Sequence, residues 1–161
     1  MLCNKQSMKC WMRQINNRKI RYFIMDKSLL TTEYMRKIVE RDAELMKLVP
    51  KDKIFGMIAH SGTSYPFIVY SRSALNPQYN KDHGLANGLG HKNTVQITVD
   101  CYSDKYVESL AVANVFRNAL EGKGWKDKDI YIDYFELVSA SENTDGESYF
   151  MQTLVFQTEV K

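Results

Sequence analysis

The chain has no G-x-S-x-G elbow, no H-E-x-x-H pair and neither glycine-rich phosphate loop, G-x-G-x-x-G or G-x-x-x-x-G-K-[ST]. Each absence removes a chemistry: acyl transfer from an activated serine, zinc hydrolysis, dinucleotide binding and nucleotide triphosphate binding. Cysteine is scarce and odd in number, with only Cys3, Cys10 and Cys101. That excludes a closed disulfide framework and argues for a reduced setting. Cys3 and Cys10 have no histidine near them before His60, so they do not form the close ligand pair that a zinc site needs. No apolar run approaches the ~20 residues that span a bilayer. The short Ile20 to Met25 stretch, interrupted by Arg21, falls short of a signal-peptide core. The expectation is a soluble protein without a membrane partner.

Acidic residues are missing from one place in particular. Lys5, Lys9, Arg13, Arg18, Lys19 and Arg21 precede Met25 with no acid among them. The whole chain carries 22 basic and 19 acidic residues, a net charge of +3, so beyond Met25 there remain 16 against 19 and a net charge of −3. A nucleic-acid reading therefore rests on the basic stretch alone. Residues 1 to 24 read as a disordered basic tail or an upstream extension, and residues 25 to 161 as one domain, long enough for roughly 70% surface burial.

What is present begins with NTVQITVDCYSDKYVESLAVANVFRNALEGKG, Asn93 to Gly124. Val95, Ile97, Val99 and Cys101 alternate with Gln96, Thr98, Asp100 and Tyr102, the period of a strand with one buried face. A helix follows, with Ser103 available as N-cap, Asp104 in the first turn, and Gly122 or Gly124 at its end. Tyr106, Leu110, Ala113, Phe116 and Leu120 fall on one face at helical spacing, and Val107, Ala111 and Val115 form a second apolar stripe. A helix apolar on two sides needs cover on both, from its own domain or from a neighbouring subunit.

Upstream, Thr32 to Val49 reads as one amphipathic helix with Tyr34, Ile38, Leu45 and Leu48 on its apolar face, Met35, Val39 and Met46 at the margins, and Pro50 as its stop. Ile54 to Ala59 and Tyr65 to Ser73 read as strands. Residues 75 to 92 read as the longest irregular segment. Its Asp82, His83 and His91 fit no zinc spacing, and His60 stands alone in a turn. Downstream, Trp125 lies in a polar connection, Ile130 to Ala140 reads as a strand bulged before Leu137, and Asp145-Gly146 joins it to the strand Tyr149 to Val160. The order helix, strand, strand, strand, helix, strand, strand predicts an α+β fold: a mainly antiparallel sheet of about five strands with two helices. Cys101, on a buried strand face with no cation near it, reads as a small hydrophobe. Asp100, Asp133, Glu136 and Glu142 read as solvent-facing acids of an antiparallel sheet. No converging catalytic set, metal site or cofactor site is assembled from these residues.

The pieces SYPFIVYSRSA, YNKDHG, the strand and helix from Asn93, and the hairpin FELVSASENTDGESYFMQTLVFQTEV, in that order and spacing, resemble the tail-completion or tail-terminator proteins of long-tailed phages and prophages. That group includes lambda-type minor tail protein U and its relatives in Gram-positive phages. The likeness runs from about Leu29 to Val160. It implies a small α+β subunit, without catalysis or cofactor, that forms a ring with itself, typically a hexamer. The ring sits on the last ring of the tail tube protein, ends tube polymerisation and meets the head connector. The protein would then assemble in the host cytoplasm and reside in the virion tail. On that likeness Tyr79, Lys81, Asp82, Glu142 and Asp145 are the candidate interface residues. The alternatives are another head-tail neck protein, a small-molecule or regulatory binding domain, and a nucleic-acid binder using the basic stretch and exposed tyrosines.

Overall fold

The computed structural model describes residues 27–78, 92–128 and 130–161. Two helices come first, α1 (Thr31–Val39) and α2 (Ala43–Leu48), after a short 3-10 turn at Lys27–Leu30. The single helix expected over Thr32 to Val49 is thus two. Asp42 has extended dihedrals, φ −81° and ψ 116°, and its carboxylate accepts from the N–H groups of Glu44 (3.0 Å) and Leu45 (2.9 Å). A side-chain acceptor inside the periodic stretch ends one helix and caps the next. The buried face turns with the break. Met35, Val39, Leu45 and Val49 are fully buried, whereas Tyr34 and Ile38 are half-buried and Leu48 is exposed.

Seven strands follow in one sheet: β1 (Ile54–Gly56), β2 (Phe67–Gln78), β3 (Lys92–Ser103), β4 (Trp125–Lys126), β5 (Tyr131–Ile132), β6 (Glu136–Thr144) and β7 (Phe150–Val160), with α3 (Tyr106–Leu120) after β3. Their spatial order is β1-β2-β3-β7-β5-β4, with β6 beside β5 on the same flank of β7. Only β1 is parallel to its neighbour, so the α+β, mainly antiparallel expectation holds. The count of five strands and two helices is corrected to seven and three among the described residues.

Three differences have local causes. The strand expected to reach Ala59 stops at Gly56, because Met57 takes φ +69° and turns the chain outward with Met57 and Ile58 exposed. β2 runs on through Asn76 and Pro77, residues that read as irregular. Its partner β3 holds the register there, Pro77 opposite Asn93, and β1 has already ended, so Pro77's missing N–H costs no second ladder. The expected strand Ile130 to Ala140 divides at Asp133 to Phe135, and the register shift falls between Leu137 and Ser139, at Val138.

All three helices lie on one face of the sheet: α3 over β3 and β7, with α1 and α2 packed on α3. Val95, Ile97, Val99 and Cys101 point into this layer, as the alternation predicts, with Ile97 opposite Phe156 and Val99 opposite Leu154 of β7. Each such fully buried aliphatic or aromatic side chain contributes about 1.5–3 kcal/mol. On α3 the buried stripe is Ser109, Val112, Ala113, Phe116, Ala119 and Leu120. Tyr106 and Leu110, expected in the core, are exposed. Gly122, at φ +72° after the helix, ends it in the left-handed region that glycine tolerates. Ser103 sits two positions too early to be the N-cap, which is Lys105. The Ser103 hydroxyl instead accepts from Lys105 N–H (3.1 Å) and donates to Glu108.

Candidate assembly surface

The far face of the sheet is open and half-buried. At one end its rings form a ribbon: Tyr65 stacks on Phe67 (5.4 Å), Phe67 on Tyr102 (4.8 Å), and Tyr102 meets Tyr149 edge-on (5.4 Å). His60 joins through Phe55 (5.5 Å), a ring contact and not a catalytic partner. Along the rest, Asp100 accepts from Thr153 Oγ1 (2.6 Å), Gln96 donates to Gln157 (3.0 Å), and Lys92 pairs with Glu159 (2.7 Å). These pairs stitch β3 to β7 and make Asp100 and Glu159 cross-strand partners.

Two of the expected interface residues lie together at the hairpin end. Asp145 opens the loop between β6 and β7, and its carboxylate accepts from the N–H groups of Glu147 (3.1 Å), Ser148 (2.7 Å) and Tyr149 (3.1 Å). With Thr144 opposite Phe150, the loop has five residues, and Gly146 takes φ +88°. Asp145-Gly146 is therefore a hairpin signal, as expected, but of a longer loop than a two-residue turn. The backbone donors hold Asp145 well below the usual carboxylate range, at about 2. A depressed folded-state pKa contributes stability that is fully present above the ordinary carboxylate pKa of about 4 and is lost as pH falls through about 2. Asp145→Asn is expected to unfold at lower denaturant concentration than the parent at pH 6, with the difference narrowing between about pH 4 and 2. A difference that stays flat across that range in denaturant melts would refute the argument.

Glu142, one turn of sheet away on β6, accepts from Tyr106 Oη–H (3.1 Å) and Gln152 Nε2 (3.3 Å). That hydrogen bond from Tyr106, with the Glu142 charge behind it, pushes the Tyr106 hydroxyl up from its ordinary pKa. Tyr106, Phe150 and Gln152 floor a groove of about 330 Å³ between α3 and β6, with Glu142 on its rim. Beside it the outer face of α3 carries Val107 at 76% exposure and Leu110 at 40%; of the second stripe that needed cover, Val107 and Ala111 are exposed and Val115 is half-buried. Tyr79, Lys81 and Asp82 lie outside the described residues, as do His83 and His91.

A further cluster went unread in the sequence. Trp125, taken as part of a polar connection, packs against Tyr34 (5.3 Å), with Lys37 Nζ 4.7 Å from the Tyr34 ring and Arg41 Cζ 4.7 Å from the Trp125 ring. The signal available was the alternation of lysines around a tryptophan in Lys123 to Lys128. Among the described residues no group of three His, Cys, Asp or Glu side chains could hold a metal ion, and burial pushes the Cys101 thiol up, away from thiolate chemistry.

Residues 33–160 match the family model of tail completion protein gp17. The chain belongs to that family. Phage tail completion proteins are structural components of the tail, and the match covers nearly the span, Leu29 to Val160, over which the sequence resembles them. A chain from a solved native gene transfer agent virion has the same fold, with a TM-score of 0.60 at 13% identity over 78% of this chain and 90% of that one. A second solved chain matches with a TM-score of 0.55 at 8% identity, covering 85% of this tail completion protein and 96% of its own length. At such identities the two likenesses speak for the fold. No curated protein sequence matches the chain. No helix among the described residues is long and apolar enough to cross a membrane.

Proposed function

We propose that the protein caps the phage tail tube as a ring of identical subunits, ends tube polymerisation and joins the tube to the head connector, a mechanical role that uses no catalysis or cofactor. The reading rests on the family match and is supported most directly by the outer face of α3. Val107, Leu110 and Tyr106 are exposed there, at 76%, 40% and 45%, on a helix whose other face is fully packed. Exposed apolar residues that share one helix face suit a subunit contact. Glu142 and Asp145 lie at the neighbouring hairpin end, and on this reading Tyr79, Lys81 and Asp82 also contribute to subunit or tube contacts. Val107→Glu is expected to keep the parent's melting temperature within about 2 °C, since a surface change alters stability by roughly 0.5 kcal/mol or less. It should nevertheless lose the ring in light scattering and electron microscopy. The decisive assay adds the parent protein to polymerising tail tube protein. Tubes of unchanged length with nothing bound at their ends would sink the reading.

A further inference from the structure

A ring of one repeated subunit needs two different, complementary patches on each copy, because a head-to-tail contact joins surface to unlike surface. The described residues supply two such patches of opposite charge at opposite ends of β7. At the Phe150 end are Asp104, Glu142, Asp145 and Glu147, all exposed, with Lys105 as the base among them. Of the six acids in the stretch from Ile130 to Val160, which holds no base, Glu142, Asp145 and Glu147 lie at this end, and Asp133, Glu136 and Glu159 lie toward the other. At the Val160 end, Ile132 pairs with Val160 and Trp125 pairs with Ile132, which places the Trp125 cluster there. Lys37 and Arg41 hold their cations against its rings, and Lys123, Lys126 and Lys128 are exposed beside it. Most acids at this end are engaged: Glu40 with Arg36 (2.6 Å), Glu159 with Lys92 (2.7 Å), Asp133 with Tyr134 N–H (2.9 Å), and Asp127 with Trp125 Nε1–H (3.1 Å) and Ile130 N–H (2.9 Å). Among the described residues, Lys123, Lys126 and Lys128 outnumber the remaining Glu136.

We infer that successive copies meet head to tail, the acidic hairpin end of one copy seated on the basic Trp125 platform of the next. This deepens the ring reading and rests on it. The eleven residues of β7 separate the ends by roughly 35 Å, so a copy cannot close the contact on itself. The groove at the acidic end has the chemistry for a cation on an apolar stem: the Tyr106 and Phe150 rings, 5.8 Å apart, with the Glu142 carboxylate at the rim. Lys37 or Arg41 of the incoming copy fits that description. The basic platform could also attract nucleic acid. The acidic, equally exposed complement on the same chain favours a second copy, since complementary charge steers encounter and fixes register.

The test is a charge exchange in the full chain. Glu142→Lys with Glu147→Lys, and separately Lys37→Glu with Arg41→Glu, should each raise the midpoint concentration for assembly by at least about tenfold in light scattering, because like charges then face each other. All four changes together should return it to within about threefold of the parent. Circular dichroism checks that each variant is folded. Carbodiimide cross-linking of the assembled parent gives an independent readout: bonds should form between the lysines of the platform and Glu142 or Glu147 of another copy, and their absence overturns the contact. If the parent forms rings but either double variant assembles as well as it does, or the combined variant stays dispersed though folded, the inference fails and the ring reading stands. A platform variant that keeps assembly and loses binding to a short DNA duplex likewise overturns it. A parent that forms rings neither in solution nor on tube ends removes both.

Discussion

Phe116→Ala is expected to lower the melting temperature by roughly 6–20 °C in calorimetry, the largest single-residue loss we foresee. Phe116 sits in the middle of α3 with no exposed surface, and its ring lies 6.1 Å from that of Phe156 at 49°. Phe156 is equally buried and occupies the centre of β7, between Ile97 on β3 and Leu137 on β6. The pair thus pins α3 to the strand that joins β3 to β5 and β6. Truncating such a ring removes its transfer free energy and leaves a cavity, together about 3–5 kcal/mol. A domain of this kind has about 5–15 kcal/mol in total, so the variant should be partly unfolded at growth temperature or close to it. Val107→Ala on the opposite side of the same helix, 76% exposed, is the control and should change stability by roughly 0.5 kcal/mol or less. Equal losses from the two substitutions would mean that α3 is held by something other than the Phe116 face.

That contrast between Phe116 and Val107 also shows where the sequence could be read and where it could not. The alternation of β3 and the apolar spacing of α3 are local, and Val95 to Cys101, Ala113, Phe116 and Leu120 lie in the core where the pattern puts them. The helix's exact rotation is set by what it packs on, and Tyr106, beside β6, and Leu110 are left exposed at its margin. The break at Asp42 was hidden because an acid at that position also suits the solvent face of a continuous helix. Only the two backbone donors it captures distinguish a cap from a surface charge. Pro77 and Asn76 read as irregular by propensity, and eleven paired positions with β3 override that preference. For the assembly surface, Asp145 and Glu142 could be placed on one hairpin from the Asp-Gly signal and the flanking strands. The Trp125 platform could not, since Tyr34, Lys37 and Arg41 reach it across some 84 residues or more of chain, and tertiary packing alone brings them together.

Gly124→Ala is expected to cost about 1–3 kcal/mol and to loosen one identifiable part of the molecule. A Cβ at Gly124 would lie 2.8 Å from the carbonyl oxygen of Ile132, 3.1 Å from the carbonyl carbon of Asp133 and 3.2 Å from its oxygen. All three are backbone atoms, so no side-chain rotation relieves the overlap and the β4–β5 ribbon itself has to shift. The bonds that tie that ribbon down include Asp133 N–H to Glu159 O (2.8 Å), Phe135 N–H to Lys123 O (2.8 Å), Gly122 N–H to Phe135 O (2.9 Å), and the reciprocal pair between Tyr131 and Lys161 (3.1 and 2.9 Å). Hydrogen exchange should therefore quicken at the amides of Asp133, Phe135 and Tyr131 while Val99 and Leu154 in the sheet centre keep their protection relative to the global stability. Gly62→Ala separates sterics from backbone conformation, because Gly62 has φ +79° and open space around its Cβ position. It should lose about 1 kcal/mol, the penalty of an alanine in the left-handed region, with no change in protection at the ribbon. If Gly124→Ala leaves the three ribbon amides as protected as in the parent, residues 122 to 126 move aside without cost, and close backbone approach is not what fixes the position of Trp125.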